Sequence, residues 1–195
     1  MTNEMKLALI SGGAAVIGGL VTGFFRWAVD RFNRPRLTID YEGGDANLVH
    51  VDYQSGNTNI ANIYIRARVR NQGRRMARRC RVFLTGLEEV HPSGQTTQTS
   101  YRDSIALPWA GDQFGTRDVP RGVEFYVDIL WVSKHDPGWR FLVETLFANY
   151  IGLQNYGGTY RFHLLVTADD ADPGTCAVDV TYSGNWLNLR AAQAP

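Results

Sequence analysis

Eight arginines and no carboxylate lie in one short segment: Arg66, Arg68, Arg70, Arg74, Arg75, Arg78, Arg79 and Arg81. Over the whole chain arginine outnumbers lysine 18 to 2. The planar guanidinium grips carboxylate and phosphate through two parallel hydrogen bonds, so this segment reads as an anion-recognition surface or as one half of an internal ion-pair network. Strand alternation puts Arg66, Arg68 and Arg70 on one outward face. A hairpin would bring Arg79 and Arg81 onto the same face, with Arg74, Arg75 and Arg78 around the turn. Like charges facing each other repel, so a stable fold needs partners for them. Glu124, Asp128 and Asp179, outward on later strands, are the internal candidates. The external candidates are lipid headgroups, a nucleotide, RNA or an acidic protein surface. Stacking on nucleic acid calls for aromatic side chains among the arginines, and none lies between Arg66 and Arg81, which argues against RNA or DNA.

Other chemistry finds little support. His50, His91, His135 and His163 are dispersed, and no Ser-His-Asp, HExxH, P-loop or dinucleotide-binding context accompanies them. Asp169, Asp170 and Asp172 lack the spacing of a calcium loop and precede Pro173-Gly174, the signal of a strand-connecting turn. Cys80 and Cys176 sit in apolar alternating runs without CxxC spacing, and read as two small core residues. We therefore expect a non-enzymatic protein without a metal or cofactor.

The elements that hold these residues begin with an anchor. Leu7 to Phe25 is 19 residues without a charge, about 28 Å as a helix and close to the hydrocarbon thickness of a bilayer. Phe24, Phe25 and Trp27 fall where an interfacial aromatic belt belongs, followed by Arg26, Arg31, Arg34 and Arg36. That order argues against a cleaved signal peptide, which wants small residues after its apolar run. Ser11, Ala15, Gly19 and Gly23 recur every fourth residue and line one helix face, a spacing that lets a second helix approach closely and form a homo-oligomer. The resulting division is a tail over 1–6, a transmembrane helix over 7–29, a basic linker over 30–36 and a folded domain over 37–195. The arginine excess beyond Phe25 places that domain in the cytoplasm by the positive-inside rule. Under that topology both thiols stay reduced, whereas an exported domain would allow a disulfide between them.

The chain has 195 residues and a net charge of +1, with 44% hydrophobic and 12% aromatic residues, which excludes a disordered or collagen-like protein. From Leu37 onward it holds 15 Lys and Arg against 17 Asp and Glu, so the positive charge is local. Alternation over Leu37–Tyr41, Val49–Tyr53, Ile63–Val69, Cys80–Leu84, Val123–Trp131, Tyr160–Val166 and Cys176–Tyr182 predicts seven or eight strands in an antiparallel β-sandwich. Leu142, Val143, Leu146, Phe147, Tyr150 and Ile151 predict a short helix after a turn at Asp136-Pro-Gly138, and His91 to Ser100 reads as a mobile polar loop.

Val69-Arg70-Asn71-Gln72-Gly73, followed by Ala77, Cys80 and Val82, resembles the strand, N-x-G turn and strand of bacterial immunoglobulin-like modules of the cell-adhesion-related (CARDB) type. A positive φ at Gly73 and side-chain bonds from Asn71 would reverse the chain there. Val119-Pro-Arg-Gly-Val123 with Asp128, and Thr167 to Pro173, are similar to segments of membrane-anchored bacterial proteins of this architecture. The resemblance implies an all-β, immunoglobulin-like fold behind a transmembrane helix in a bacterial inner membrane. It brings no catalytic residue. The expected function is a single-pass, membrane-anchored module that binds membrane lipid through its helix and another protein through its domain. Two alternatives stay open: a sensor of an anionic ligand coupled to a membrane-disturbing helix, as in toxin or phage-defence systems, and an exported adhesion or envelope module.

Overall fold

The computed structural model describes residues 22–55, 58–99, 101, 104–111, 114–140 and 157–195. The chain divides into two units, Met1–Arg34 and Pro35–Pro195. In the first, residues 22–33 form a helix, so the segment expected to be a linker is helical over its first half. Among the described residues no helix is long and apolar enough to cross a membrane. Most of the uncharged run lies outside the described residues, and so do Ser11, Ala15 and Gly19.

The second unit is all-β. Its strands are β1 (Leu37–Asp40), β2 (Leu48–Ser55), β3 (Thr58–Asn71), β4 (Ala77–Val90), β5 (Thr96–Gln98), β6 (Ile105–Leu107), β7 (Arg117–Val119), β8 (Glu124–Ser133), β9 (Asp136–Arg140), β10 (Gly158–Thr167), β11 (Gly174–Tyr182) and β12 (Arg190–Gln193). They form two antiparallel sheets. The smaller runs β1-β3-β8-β9, with β2 beside β1 along the same edge of β3; the larger runs β12-β11-β10-β4, whose far edge carries β5, β6 and β7 in succession. Inward residues of both sheets make one apolar cluster, with Ile63, Ile65 and Val69 of β3 and Ile129 of β8 sharing it with Leu84 of β4, Phe162 of β10 and Val180 of β11. That is the arrangement of a β-sandwich.

Two bulges decide which side chains face inward. On β8 the pairing jumps from Ile65↔Leu130 to Arg66↔Asp128, so Ile129 is an extra residue. Buried positions therefore switch from Val127 and Ile129 to Leu130 and Val132. Trp131, expected on the inward side, turns outward and stacks on Tyr64 with ring centroids 6.4 Å apart. On β4 the jump from His163↔Gly86 to Leu164↔Leu84 makes Thr85 the extra residue, and the buried series Cys80, Val82, Leu84 resumes at Leu87.

Other expectations change at the connections. β3 and β4 do not form a hairpin; they belong to different sheets, and the chain crosses between them over 72–76. Asn71 holds the crossing. Its Oδ1 accepts from the N–H of Arg36 (3.1 Å) and of Gly73 (2.9 Å), and its Nδ2 donates to the carbonyls of Arg75 (2.6 Å) and Val119 (3.0 Å). All four bonding sites of this buried amide are used. Gly73 does not take a positive φ, because the side-chain bond from Asn71 turns the chain without it. Residues 91–98 are the tip and return strand of a β4-β5 hairpin, closed by a His91–Thr97 hydrogen bond of 2.8 Å, rather than an irregular loop. Asp136-Pro-Gly138 lies in β9 and the turn falls at Lys134 and His135, since the β8-β9 register begins at Ser133↔Asp136. The helix expected around Leu142–Ile151 lies outside the described residues.

Candidate functional site

The crossing at Asn71 splits the arginines into two groups on different sheets. Arg66, Arg68 and Arg70 project from the outer face of the smaller sheet, because Ile65, Ala67 and Val69 between them are fully buried inward. Arg79 and Arg81 belong to β4 in the larger sheet, so the single outward stripe expected across a hairpin does not form.

The first group is neutralised within the fold. β8 runs beside β3 with Arg66 opposite Asp128 and Arg70 opposite Glu124, and on the other side β1 sets Asp40 opposite Arg68. Arg66 Nε donates to Asp128 Oδ1 at 2.5 Å, and Asp128 is only 1% exposed. Arg68 Nε donates to Asp40 Oδ1 at 2.9 Å while Arg70 Nη2 donates to Asp40 Oδ2 at 2.6 Å, so two guanidiniums clamp one carboxylate. Arg68 also pairs with Glu42, and Glu124 lies 3.5 Å from Arg68 and 3.7 Å from Arg70. Three cations thus meet four anions, and this face carries no excess of positive charge. Burial works against a charge on Arg68, but the Glu42 and Asp40 carboxylates outweigh it and hold its pKa above the ordinary arginine value.

Two of the three expected acids, Glu124 and Asp128, do meet these arginines. Asp179 does not. It lies opposite Arg161 in the larger sheet and accepts from that guanidinium at 2.7 and 2.9 Å, a bidentate pair. Asp40 and Glu42 were the missed partners; their only sequence signal was two acids on either side of Tyr41 at the end of the strand-like Leu37–Tyr41.

The second group stays more open. Arg74 and Arg75 lie exposed on the crossing. β4 pairs with β7 at Ala77↔Val119 and at Cys80↔Arg117, which leaves Arg78 and Arg79 opposite the single residue Asp118. In this bulge Arg79 has φ of 50°, the only positive φ of a non-glycine residue among those described. The Asp169-Asp170 turn fastens it: Asp170 Oδ1 accepts from the Arg78 N–H (3.2 Å), the Asp169 N–H donates to the Arg78 carbonyl (3.2 Å), and the Asp169 carboxylate pairs with the Arg79 guanidinium. Asp118 Oδ1 accepts from the Arg79 N–H at 2.9 Å. The aspartates that read as a plain turn are therefore the clasp of the arginine bulge. Arg81 projects outward from β4 opposite Thr167 of β10.

Cys80 is buried and Cys176 half-buried, and both are free thiols. Burial pushes each thiol pKa up to about 11, which keeps them protonated and unreactive at neutral pH. Among the described residues no group of three or more His, Cys, Asp or Glu is placed to hold a metal ion. Of the residues expected to pack helix on helix, Gly23 is the one described, and space around its Cα is open: an added Cβ would meet nothing within 4 Å. No family model matches this chain, and no curated protein matches it either.

Proposed function

We propose that this chain is a single-pass membrane protein whose β-sandwich, immunoglobulin-like in type, faces the cytoplasm of a bacterium and holds another protein there without catalysing a reaction. The helix over 22–33 carries the reading. Its Phe24, Phe25, Trp27 and Phe32 are 63–70% exposed, and each would gain about 1.5–3 kcal/mol from leaving water. Phe24 and Phe25 end an uncharged run of 19 residues, Trp27 and Phe32 follow it, and Arg26, Arg31 and Arg34 are interspersed, the mixture that suits the boundary between hydrocarbon and headgroups. The arginine excess on this side supports a cytoplasmic domain.

A protein partner is supported by the edge of the smaller sheet. Among the described residues β2 pairs only with β3, so eight residues of backbone offer their other side to an added strand. Charge neutralisation around Arg68 favours such an edge contact over capture of an acidic partner on that face.

Paired C-terminal fusions of the full chain test the topology: a phosphatase should be inactive and a fluorescent protein bright, and the reverse pair of results overturns the cytoplasmic reading. A photo-crosslinking residue at exposed Asp52 on β2 should trap a discrete protein in cells. Equal trapping from exposed Thr181, within the larger sheet, would remove the edge from the proposal.

A further inference from the structure

We propose that a hollow on the outer face of the larger sheet, where β4 begins, binds a singly charged phosphate group, a phosphodiester. This goes beyond the anchoring reading and stands without it. The hollow measures about 320 Å³ and is lined by Arg79, Arg81, Thr116, Thr167, Ala168 and Asp169. Its charge follows from the clasp described above. Arg79 and Asp169 cancel each other, and Asp118 and Asp170, which accept from the backbone N–H groups of Arg79 and Arg78, do not line the hollow. Among the described residues no carboxylate reaches ion-pair distance of Arg81. Arg81 is thus the uncompensated cation of the hollow, and Thr116 and Thr167 line it as well.

That set of donors selects the ligand. A guanidinium presents a fork of N–H groups, and the hydroxyls of Thr116 and Thr167 add donors from other directions, which a tetrahedral phosphate satisfies better than a planar carboxylate. Asp169 is already paired with Arg79, so Arg81 alone offers the ligand an unmatched charge, which one negative charge balances and two exceed; a phosphodiester is therefore favoured over a dianionic monoester. The bulge gives the arrangement its rigidity. Arg79 is held in a left-handed backbone conformation that a non-glycine residue adopts at a cost, and such positions persist where the surroundings fix them, often at binding sites.

Two sources share this chemistry, the phosphodiester of an anionic lipid headgroup and a soluble phosphodiester. The test uses the full chain in nonionic detergent, titrated with dimethyl phosphate and, separately, with phosphatidylglycerol in mixed micelles against phosphatidylcholine. The backbone amide signals of Thr116 and Thr167, which line the hollow and persist in every variant, report binding. Saturable binding of dimethyl phosphate identifies the soluble source, and binding of phosphatidylglycerol alone identifies the lipid. Arg81→Gln should weaken either at least tenfold, whereas Arg74→Gln, an exposed arginine outside the hollow, should stay within twofold. Thr167→Val provides a second variant, expected to weaken binding several-fold while leaving the melting temperature unchanged. No saturable binding to any probe, or equal losses in the Arg81 and Arg74 variants, overturns the site. Neither result bears on membrane anchoring, which the fusions test separately.

Discussion

Arg68→Gln and Arg81→Gln remove the same charge from strands joined by one crossing, yet the structure makes them unequal. Arg68 is 9% exposed and is held by Asp40 at 2.9 Å, by Glu42, and by Glu124 at 3.5 Å. Removing one partner of a fully buried ion pair costs about 3–5 kcal/mol, because the remaining charge is stranded. Here the loss is smaller. Glu42 and Glu124 are 59% and 40% exposed and can return to water, and Asp40 keeps Arg70 at 2.6 Å. We therefore expect about 2 kcal/mol, or a fall in melting temperature of about 4–8 °C for a domain of this size. Arg81 is exposed and has no carboxylate partner among the described residues, so Arg81→Gln should cost less than about 0.5 kcal/mol. Near-ultraviolet circular dichroism melts of the full chain in detergent separate the two. Equal stabilities for both variants would refute the division of the arginines between two sheets.

Further predictions rest on particular contacts. A Cβ at Gly174 would come within 2.7 Å of the Leu37 carbonyl oxygen and 3.1 Å of Val166 Cγ1, so Gly174→Ala should cost about 1–3 kcal/mol by urea unfolding, and an unchanged midpoint would show that β1 does not press on β11 there. The Cys80 and Cys176 thiols ionise at about 11 when folded against 9.0 otherwise. The unfolded chain therefore releases these protons first; their contribution to stability is intact below pH 9 and lost between pH 9 and 11, by up to about 1.4 kcal/mol per pH unit for each thiol. Cys80→Ala should flatten that decline, while the buried tyrosines, whose pKa values burial also raises, contribute alike to both proteins; an identical slope would contradict the thiol's role. Gly19→Leu with Gly23→Leu should weaken self-association in a membrane reporter assay, and unchanged association would move the contact to another face.

Regular strands were legible because their period was unbroken. Tyr160, Phe162, Leu164 and Val166 of β10 alternate inward from end to end, and so do Val178, Val180 and Tyr182 of β11. β8 could be located but not oriented throughout, since a single extra residue at Ile129 reverses the faces that follow and leaves no mark in composition. The N-x-G segment looked like a hairpin because a turn residue and a glycine are all that such a turn needs locally. What makes it a crossing is the reach of Asn71 to Arg36 and Val119, 35 and 48 residues away, and no short-range pattern encodes that. The same distance hid Asp40, 28 residues from Arg68, and Asp169, 90 residues from Arg79. Glu124 and Asp128 were found because their alternation matched that of the arginines they face.

Membrane anchoring of the sandwich by the N-terminal helix is tested most directly by alkaline carbonate extraction of the full chain. The native chain should remain with the membrane pellet, whereas a variant carrying Val16→Arg and Val21→Arg, with about 2.5–3.5 kcal/mol of insertion cost added at each central position, should be released. Release of the native chain into the supernatant, or retention of both proteins alike, would contradict the account.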